Sequence, residues 1–208
     1  MKMKTLITVL TMALASFSAS DSWAASCKYQ WDTNNYRTGE KVLWSRWVMN
    51  KRMITTGVYG LLSGVLEGDN RYLALQTVTY NEHTKSRPTK EEIDSAMVIP
   101  DNAKLSILMA DGSTFDLFAE HGVIGDTSVI VNGAELDKDF QMGREDGYTY
   151  KSYAVVKFPL DDAAIAALKG QLATDMRLHA TGKNYDISFG SKPSDKIQEV
   201  LACIPPLD

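Results

Sequence analysis

Apolar and polar residues alternate along residues 104–119, KLSILMADGSTFDLFA, and the alternation breaks at an Asp-Gly pair. A period of two is typical of a half-buried strand, and Asp-Gly between two such runs is a strong hairpin signal. A two-residue loop would place apolar residues opposite polar ones, whereas a three-residue loop at 110–112 keeps the faces separate. We therefore expect that loop, with these pairs: Ile107 with Phe115 and Leu105 with Leu117.

Other stretches also favour strands. Residues 71–80 and 148–158 alternate in the same way, and residues 41–50 are rich in β-branched and aromatic side chains. An Asn-Gly turn predicts a hairpin over 128–136, and another hairpin joins residues 176–180 to 185–189. The expected apolar pairs of these hairpins are Val131 with Ala134, Val129 with Leu136, Leu178 with Ile187, and Met176 with Phe189.

Three short helices are indicated by their end signals. Thr89 and Glu92 form a capping box, which predicts a helix as far as Met97. Asp161 can cap a helix through Lys169, and residues 194–203 predict a C-terminal helix that is ended by a Pro-Pro pair.

Seven or more strands with these helices predict a mainly β (α+β) fold. The expected architecture is an antiparallel β-sandwich or a curved sheet with two or three short helices at its edges, including the C-terminal helix. The pattern leaves the strand order open.

The first 24 residues have the composition of a secretory signal peptide. Lys2 and Lys4 precede an apolar run from Leu6 to Ala15, and Ser22-Trp23-Ala24 matches a small-x-Ala cleavage site. We expect cleavage after Ala24, which leaves residues 25–208 as a single mainly β domain in the periplasm or outside the cell. No later run reaches the length of a membrane span, so we expect no transmembrane segment in the mature chain.

The net charge of the chain limits the classes of molecule that it is expected to bind. The chain has 22 basic and 26 acidic residues, and removal of Lys2, Lys4 and Asp21 leaves 20 and 25, a net charge of −5. This mild acidity argues against nucleic acid or an anionic membrane as the partner.

The two cysteines, Cys27 and Cys203, lie near opposite ends of the mature chain. In an oxidising compartment such a pair predicts one disulfide. The alternative is a lipoprotein anchored through an acylated Cys27, although the residues before it, Ala24-Ala25-Ser26, lack the leucine usual three places upstream.

Aromatic residues are dense in the first quarter of the mature chain. Trp31, Tyr36, Trp44 and Trp47 could form a stacking surface for a sugar or a peptide, because aromatic rings supply large rigid contacts. Tryptophan also tends to be buried, so the same residues could belong to the core.

The last hairpin carries the strongest candidate for chemistry. Its expected register places His179 opposite Asp186, with Ser188 diagonal to His179 on one face. Serine, histidine and carboxylate are the groups of nucleophilic catalysis. A serine in mid-strand, without a G-x-S-x-G turn, instead favours ordinary cross-strand pairing on a solvent-facing sheet.

No metal or cofactor is expected. The three histidines are scattered, and the acidic loop at 137–146 departs from a calcium loop at Met142 and at Tyr148. Nucleotide-binding glycine motifs are also missing from the sequence.

These patterns predict an exported bacterial envelope protein that acts as a non-enzymatic binding or accessory module for a protein, a peptide or a glycan. The alternatives are an envelope hydrolase that uses the His179/Asp186 face or the acidic loop, and a lipoprotein anchored through Cys27. The oligomeric state is not predicted.

Overall fold

The computed structural model describes residues 27–49, 58–84, 86–132 and 147–205. Within these ranges strands dominate, which confirms the mainly β prediction. The strands are Tyr29–Asn34 (β1), Lys41–Ser45 (β2), Val48–Met49 (β3), Val58–Glu67 (β4), Asn70–Thr84 (β5), Val98–Ile99 (β6), Lys104–Met109 (β7), Thr114–Phe118 (β8), Val123–Ile124 (β9), Asp126–Asn132 (β10), Gly147–Pro159 (β11), Ala173–Ala180 (β12) and Lys183–Ser188 (β13). The helices are Lys90–Asp94 (α1), Asp162–Gly170 (α2) and Lys196–Leu201 (α3).

Two curled antiparallel sheets enclose the core. The larger sheet has the order β1-β2-β4-β5-β11-β10, and the short β3 also pairs with β4. The smaller sheet has the order β13-β12-β7-β8, and β6 pairs with β9 in a separate two-stranded ribbon. Strand β1 therefore lies at an edge of the larger sheet.

The main core fills the space between the two sheets. Leu62 and Leu75 of the larger sheet pack in one cluster with Leu105 and Leu178 of the smaller one. Helices α2 and α3 add their apolar faces to the same cluster. Burial of this continuous apolar surface is the main driving force for the fold.

The hairpin at residues 104–118 has the expected register. Ile107 lies opposite Phe115 and Leu105 lies opposite Leu117. Gly112 has a φ of 86°, the left-handed conformation that the three-residue loop requires. The prediction from alternation and turn chemistry is confirmed.

The predicted helix ends are also observed. Thr89 caps α1 through a complete capping box with Glu92, whose backbone N–H donates to the Thr89 hydroxyl over 3.2 Å. The Asp161 carboxylate accepts from the Ala164 N–H over 2.7 Å at the start of α2. Helices α1 and α3 are shorter than predicted. Helices α1 and α2 begin directly after their predicted caps, and α3 lies within the predicted range 194–203.

The hairpin predicted over 128–136 lies partly outside the described residues. Strand β10 pairs with β11, so that Val129 lies opposite Tyr150 and Val131 lies opposite Tyr148. The expected partners Ala134 and Leu136, and the acidic loop at 137–146, lie outside the described residues.

The predicted register of the last hairpin is wrong by two residues. Met176 lies opposite Ile187 and Leu178 lies opposite Tyr185, across a tight turn in which Gly182 has a φ of 75°. A shift of two leaves every side chain on its expected face, so alternation could not distinguish these registers. In the observed register Tyr185 is buried, with 2% of its surface exposed.

The predicted disulfide is present. Cys27 and Cys203 are bonded, with their Cα atoms 5.3 Å apart, and the bond joins the segment before β1 to the end of α3. Because this bond occupies the Cys27 sulfur atom, it disfavours the alternative of a lipoprotein acylated at Cys27. The proposed signal peptide and its cleavage site lie outside the described residues.

Candidate functional site

The aromatic residues of the N-terminal quarter lie together on the outer face of the larger sheet. Trp31 of β1 pairs with Trp44 of β2, because the two strands are antiparallel neighbours. Their ring centroids are 5.2 Å apart in an edge-to-face arrangement, and Trp44 lies 5.7 Å from Trp47. Such tilted contacts are favourable because a ring edge faces a neighbouring π-face.

This row continues inward across the sheet. Trp44 lies opposite Val65 of β4, which in turn lies opposite Tyr72 of β5. Val65, Tyr72 and Ala74 form a second buried cluster against which Trp44 and Trp47 pack. We call Trp31, Trp44 and Trp47 the aromatic surface, which lies over the buried Tyr72.

Exposure divides the four predicted binding residues. Trp44 and Trp47 are half-buried and cover the second cluster, whereas Trp31 is 50% exposed and Tyr36 is 87% exposed. The Tyr36 hydroxyl accepts from Arg37 Nε over 2.7 Å, in the turn after β1. The structure thus brings the three tryptophans together and places Tyr36 at the adjoining turn.

An ion pair borders the inner end of the aromatic surface. Lys157 Nζ lies 2.6 Å from a Glu67 carboxylate oxygen and 4.9 Å from the centroid of the Tyr72 ring. Burial raises the pKa of the Tyr72 phenol, and the nearby Glu120 and Glu67 carboxylates raise it further. Polar groups therefore lie directly beside the apolar row.

A groove of about 810 Å³ adjoins the aromatic surface. Trp47 and Arg46 line it on the sheet side, and Gln198 and Glu199 of α3 line it on the helix side. The disulfide also lies along this groove, so the covalent link and the tryptophans share one end of the molecule.

The smaller sheet carries a separate polar groove of about 610 Å³ on its outer face. Arg177 donates to both Asp186 carboxylate oxygens, over 2.5 and 3.0 Å. Lys104 lies 3.3 Å from Asp116 on the other side of the groove. Both basic residues are thus engaged by carboxylates.

The predicted cross-strand pair of His179 and Asp186 is not observed. His179 lies opposite Asn184 rather than Asp186, and Asp186 pairs with Arg177. The Ser188 hydroxyl accepts from the Gly190 N–H over 3.1 Å. The face was correctly predicted, but the partners within it differ.

A serine that the sequence did not indicate contacts His179 instead. Ser106 Oγ lies 3.2 Å from His179 Nε2, because β7 and β12 are neighbours in the smaller sheet. Ser106 also lowers the pKa of the nearby Asp116 carboxyl group. Finding this contact would have required the order of the strands, which the alternation does not contain.

The Ser106–His179 contact fits either direction of donation, because the tautomer of the His179 ring sets which atom donates. General-base activation of a serine nucleophile requires the tautomer whose Nε2 accepts from the hydroxyl.

Within residues 27–49, 58–84, 86–132 and 147–205, no group of three His, Cys, Asp or Glu side chains is arranged to hold a metal ion. None of the helices in those ranges is long and apolar enough to cross a membrane.

Comparison with protein-family models, with curated proteins and with solved structures finds no match to this chain.

Proposed function

We propose that this protein is a non-enzymatic binding module exported to the bacterial cell envelope, and that the aromatic surface binds a protein, a peptide or a glycan. The observation that carries the proposal is the half-exposed Trp31, which rests edge-to-face on Trp44. An exposed aromatic residue supported by packed neighbours is typical of interface anchors, because its position is set before the ligand arrives.

The composition around Trp31 supports a ligand of mixed polarity. Trp44 and Trp47 supply apolar area, while Glu67, Lys157 and the adjoining groove supply charged and polar groups. Ligand sites commonly combine a mainly apolar lining with a few polar groups that fix orientation.

The disulfide supports export. Such bonds persist in oxidising compartments and are rare in the cytosol, and this one holds the two ends of the domain together. Intact mass of the protein from cells tests this part. A chain that begins at Ala25, with two thiols that appear only after reduction, is expected; a mass with acyl chains or an uncleaved leader would contradict it.

Trp31→Ala tests the ligand surface. The unmodified protein and the variant are cross-linked gently in cells of the source organism, and the recovered envelope components are compared by quantitative mass spectrometry. Loss of an anchor residue weakens binding by about tenfold or more, so recovery of the partner should fall strongly.

Phe118→Ala is the matched control. Phe118 is an aromatic residue of similar exposure, 53%, but it lies on the smaller sheet and is not part of the tryptophan cluster. Recovery should be the same as for the unmodified protein. If no envelope component depends on Trp31 more than on Phe118, the proposed surface is wrong.

A further inference from the structure

Strand β1 is the terminal strand of the larger sheet and pairs with β2 on its inner side. Within the described ranges no strand pairs with its outer side, which we call the free edge of β1. Its residues 30–34 are all exposed. A strand in this position presents unpaired backbone groups that another strand can use.

The register identifies which backbone groups face outward. Asn35 N–H donates toward β2, to the Glu40 carbonyl over 2.7 Å. Along a strand successive backbone groups point to opposite sides, so Thr33 and Trp31 also face β2. The N–H and C=O groups of Asp32 and Asn34 therefore face the free edge.

Both ends of β1 are held in place. At the start, the Tyr29 hydroxyl donates to the Cys203 carbonyl over 3.0 Å, next to the disulfide. At the end, the Asn35 side-chain oxygen accepts from the Arg37 N–H over 2.9 Å and closes the turn. An edge that is fixed in the extended conformation loses little entropy when a partner strand pairs with it.

The common protections against edge pairing are weak here. Natural edge strands often carry lysine, proline or an unpaired charge that disfavours a neighbouring strand. Asp32 is the one charged residue of β1, and Lys41 of β2 pairs with it. The bulge lies at Gln30, before the regular pairs from Trp31 to Asn34.

We propose that an extended segment of a partner polypeptide adds to the free edge of β1, with an apolar side chain opposite Trp31. This inference rests on the proposed function and specifies the ligand class. The outward groups of Asp32 and Asn34 recur every second residue, the period of a polypeptide strand. In antiparallel addition the position opposite Trp31 is a non-hydrogen-bonded pair, in which side chains approach closely.

Asn34→Pro tests the strand addition directly. Proline removes the N–H group that faces the free edge, whereas every hydrogen bond between β1 and β2 is kept. Asn34→Ala is the matched control, since it removes the same side chain and keeps the N–H. The probe is a set of seven-residue peptides selected from a random library for binding to the unmodified protein. We expect them to bind Asn34→Ala unchanged and Asn34→Pro at least about tenfold more weakly.

Amide hydrogen exchange in the unmodified protein gives a readout that does not depend on the folding of a variant. Bound peptide should slow exchange at Asp32 and Asn34 at least about tenfold, because both N–H groups gain a partner. Unchanged exchange at both amides, equal binding to the proline variant, or no selected peptide at all would each overturn strand addition. Binding that still depends on Trp31 would then leave the proposed function standing with a different ligand.

Discussion

Gly64 of β4 and Val200 of α3 approach each other so closely that no side chain fits between them. A Cβ atom on Gly64 would lie 2.5 Å from the Val200 carbonyl oxygen and 2.8 Å from the Ile204 side chain. The absence of a side chain at residue 64 lets the C-terminal helix pack directly on the larger sheet, near the disulfide that joins it to β1.

Gly64→Ala should therefore destabilise the protein. The new methyl group would collide with backbone, and overpacking of this kind costs about 1–3 kcal/mol. Chemical denaturation measures the change in the free energy of unfolding. Gly170→Ala is the control, because no atom lies within 4 Å of its added Cβ. That variant should keep or raise the stability, and equal losses in both variants would refute the packing argument.

Loss of the disulfide should lower stability strongly. The bond closes a loop with a sequence separation of 176, for which the chain-entropy model gives about 5 kcal/mol. We expect the double variant Cys27→Ser, Cys203→Ser and the reduced protein to share one lowered denaturation midpoint. An unchanged midpoint in the reduced protein would show that α3 and β1 are held by packing alone.

The contacts around Ser106 predict the tautomer of His179. Ser106 lowers the pKa of Asp116, so we expect Ser106 to donate its proton toward that carboxylate and the neutral His179 ring to carry its hydrogen on Nε2. Nitrogen NMR at about pH 8.5, where free imidazole is neutral, distinguishes the two tautomers. Ser106→Ala should weaken the preference. A dominant Nδ1–H form in the unmodified protein would instead leave Nε2 free to accept from Ser106 and would revive the hydrolase hypothesis.

Tyr185 should make the stability fall in alkali. Burial raises the pKa of its phenol to about 12. Because the folded-state pKa exceeds the ordinary value near 10, the contribution is complete below about pH 10 and is lost as the pH rises toward 12. The loss should be about 1.4 kcal/mol per pH unit in this window.

Tyr185→Phe is the comparison for that titration, since it keeps the buried ring and removes the ionisable group. The variant should lose stability less steeply between about pH 10 and pH 12, while other tyrosines contribute to both proteins alike. Parallel curves for the two proteins would contradict a buried, neutral Tyr185.

Local signals predicted local structure well. The hairpin with Ile107 opposite Phe115 was predictable because only one loop length keeps its apolar residues on one face. The caps at Thr89 and Asp161 were predictable because their hydrogen bonds lie within four residues. The partners in these interactions are close in sequence, so the interactions do not depend on the order of strands in the sheets.

Pairing partners were predicted less well elsewhere. Val129 lies opposite Tyr150, a partner that the sequence did not indicate. His179 was expected opposite Asp186, but the register slipped by two residues without changing the faces. The alternation of apolar and polar residues determines which face of a sheet a side chain lies on, but not which residue lies opposite it. For the site on the smaller sheet, the sequence therefore predicted the face that carries the polar residues and not their pairing.

The sequence by itself determined the fold class, the hairpin at 104–118 and the helix caps. It also determined the pairing of Cys27 with Cys203 and the cluster of aromatic residues. Each of these properties depends on a short-range pattern or on a residue count. Only the tertiary structure decided that Trp31 is half exposed while Trp44 and Trp47 cover a buried cluster, and that β1 has a free edge. Those properties depend on the order of strands in the sheets, which is set by burial of the whole core rather than by any one segment.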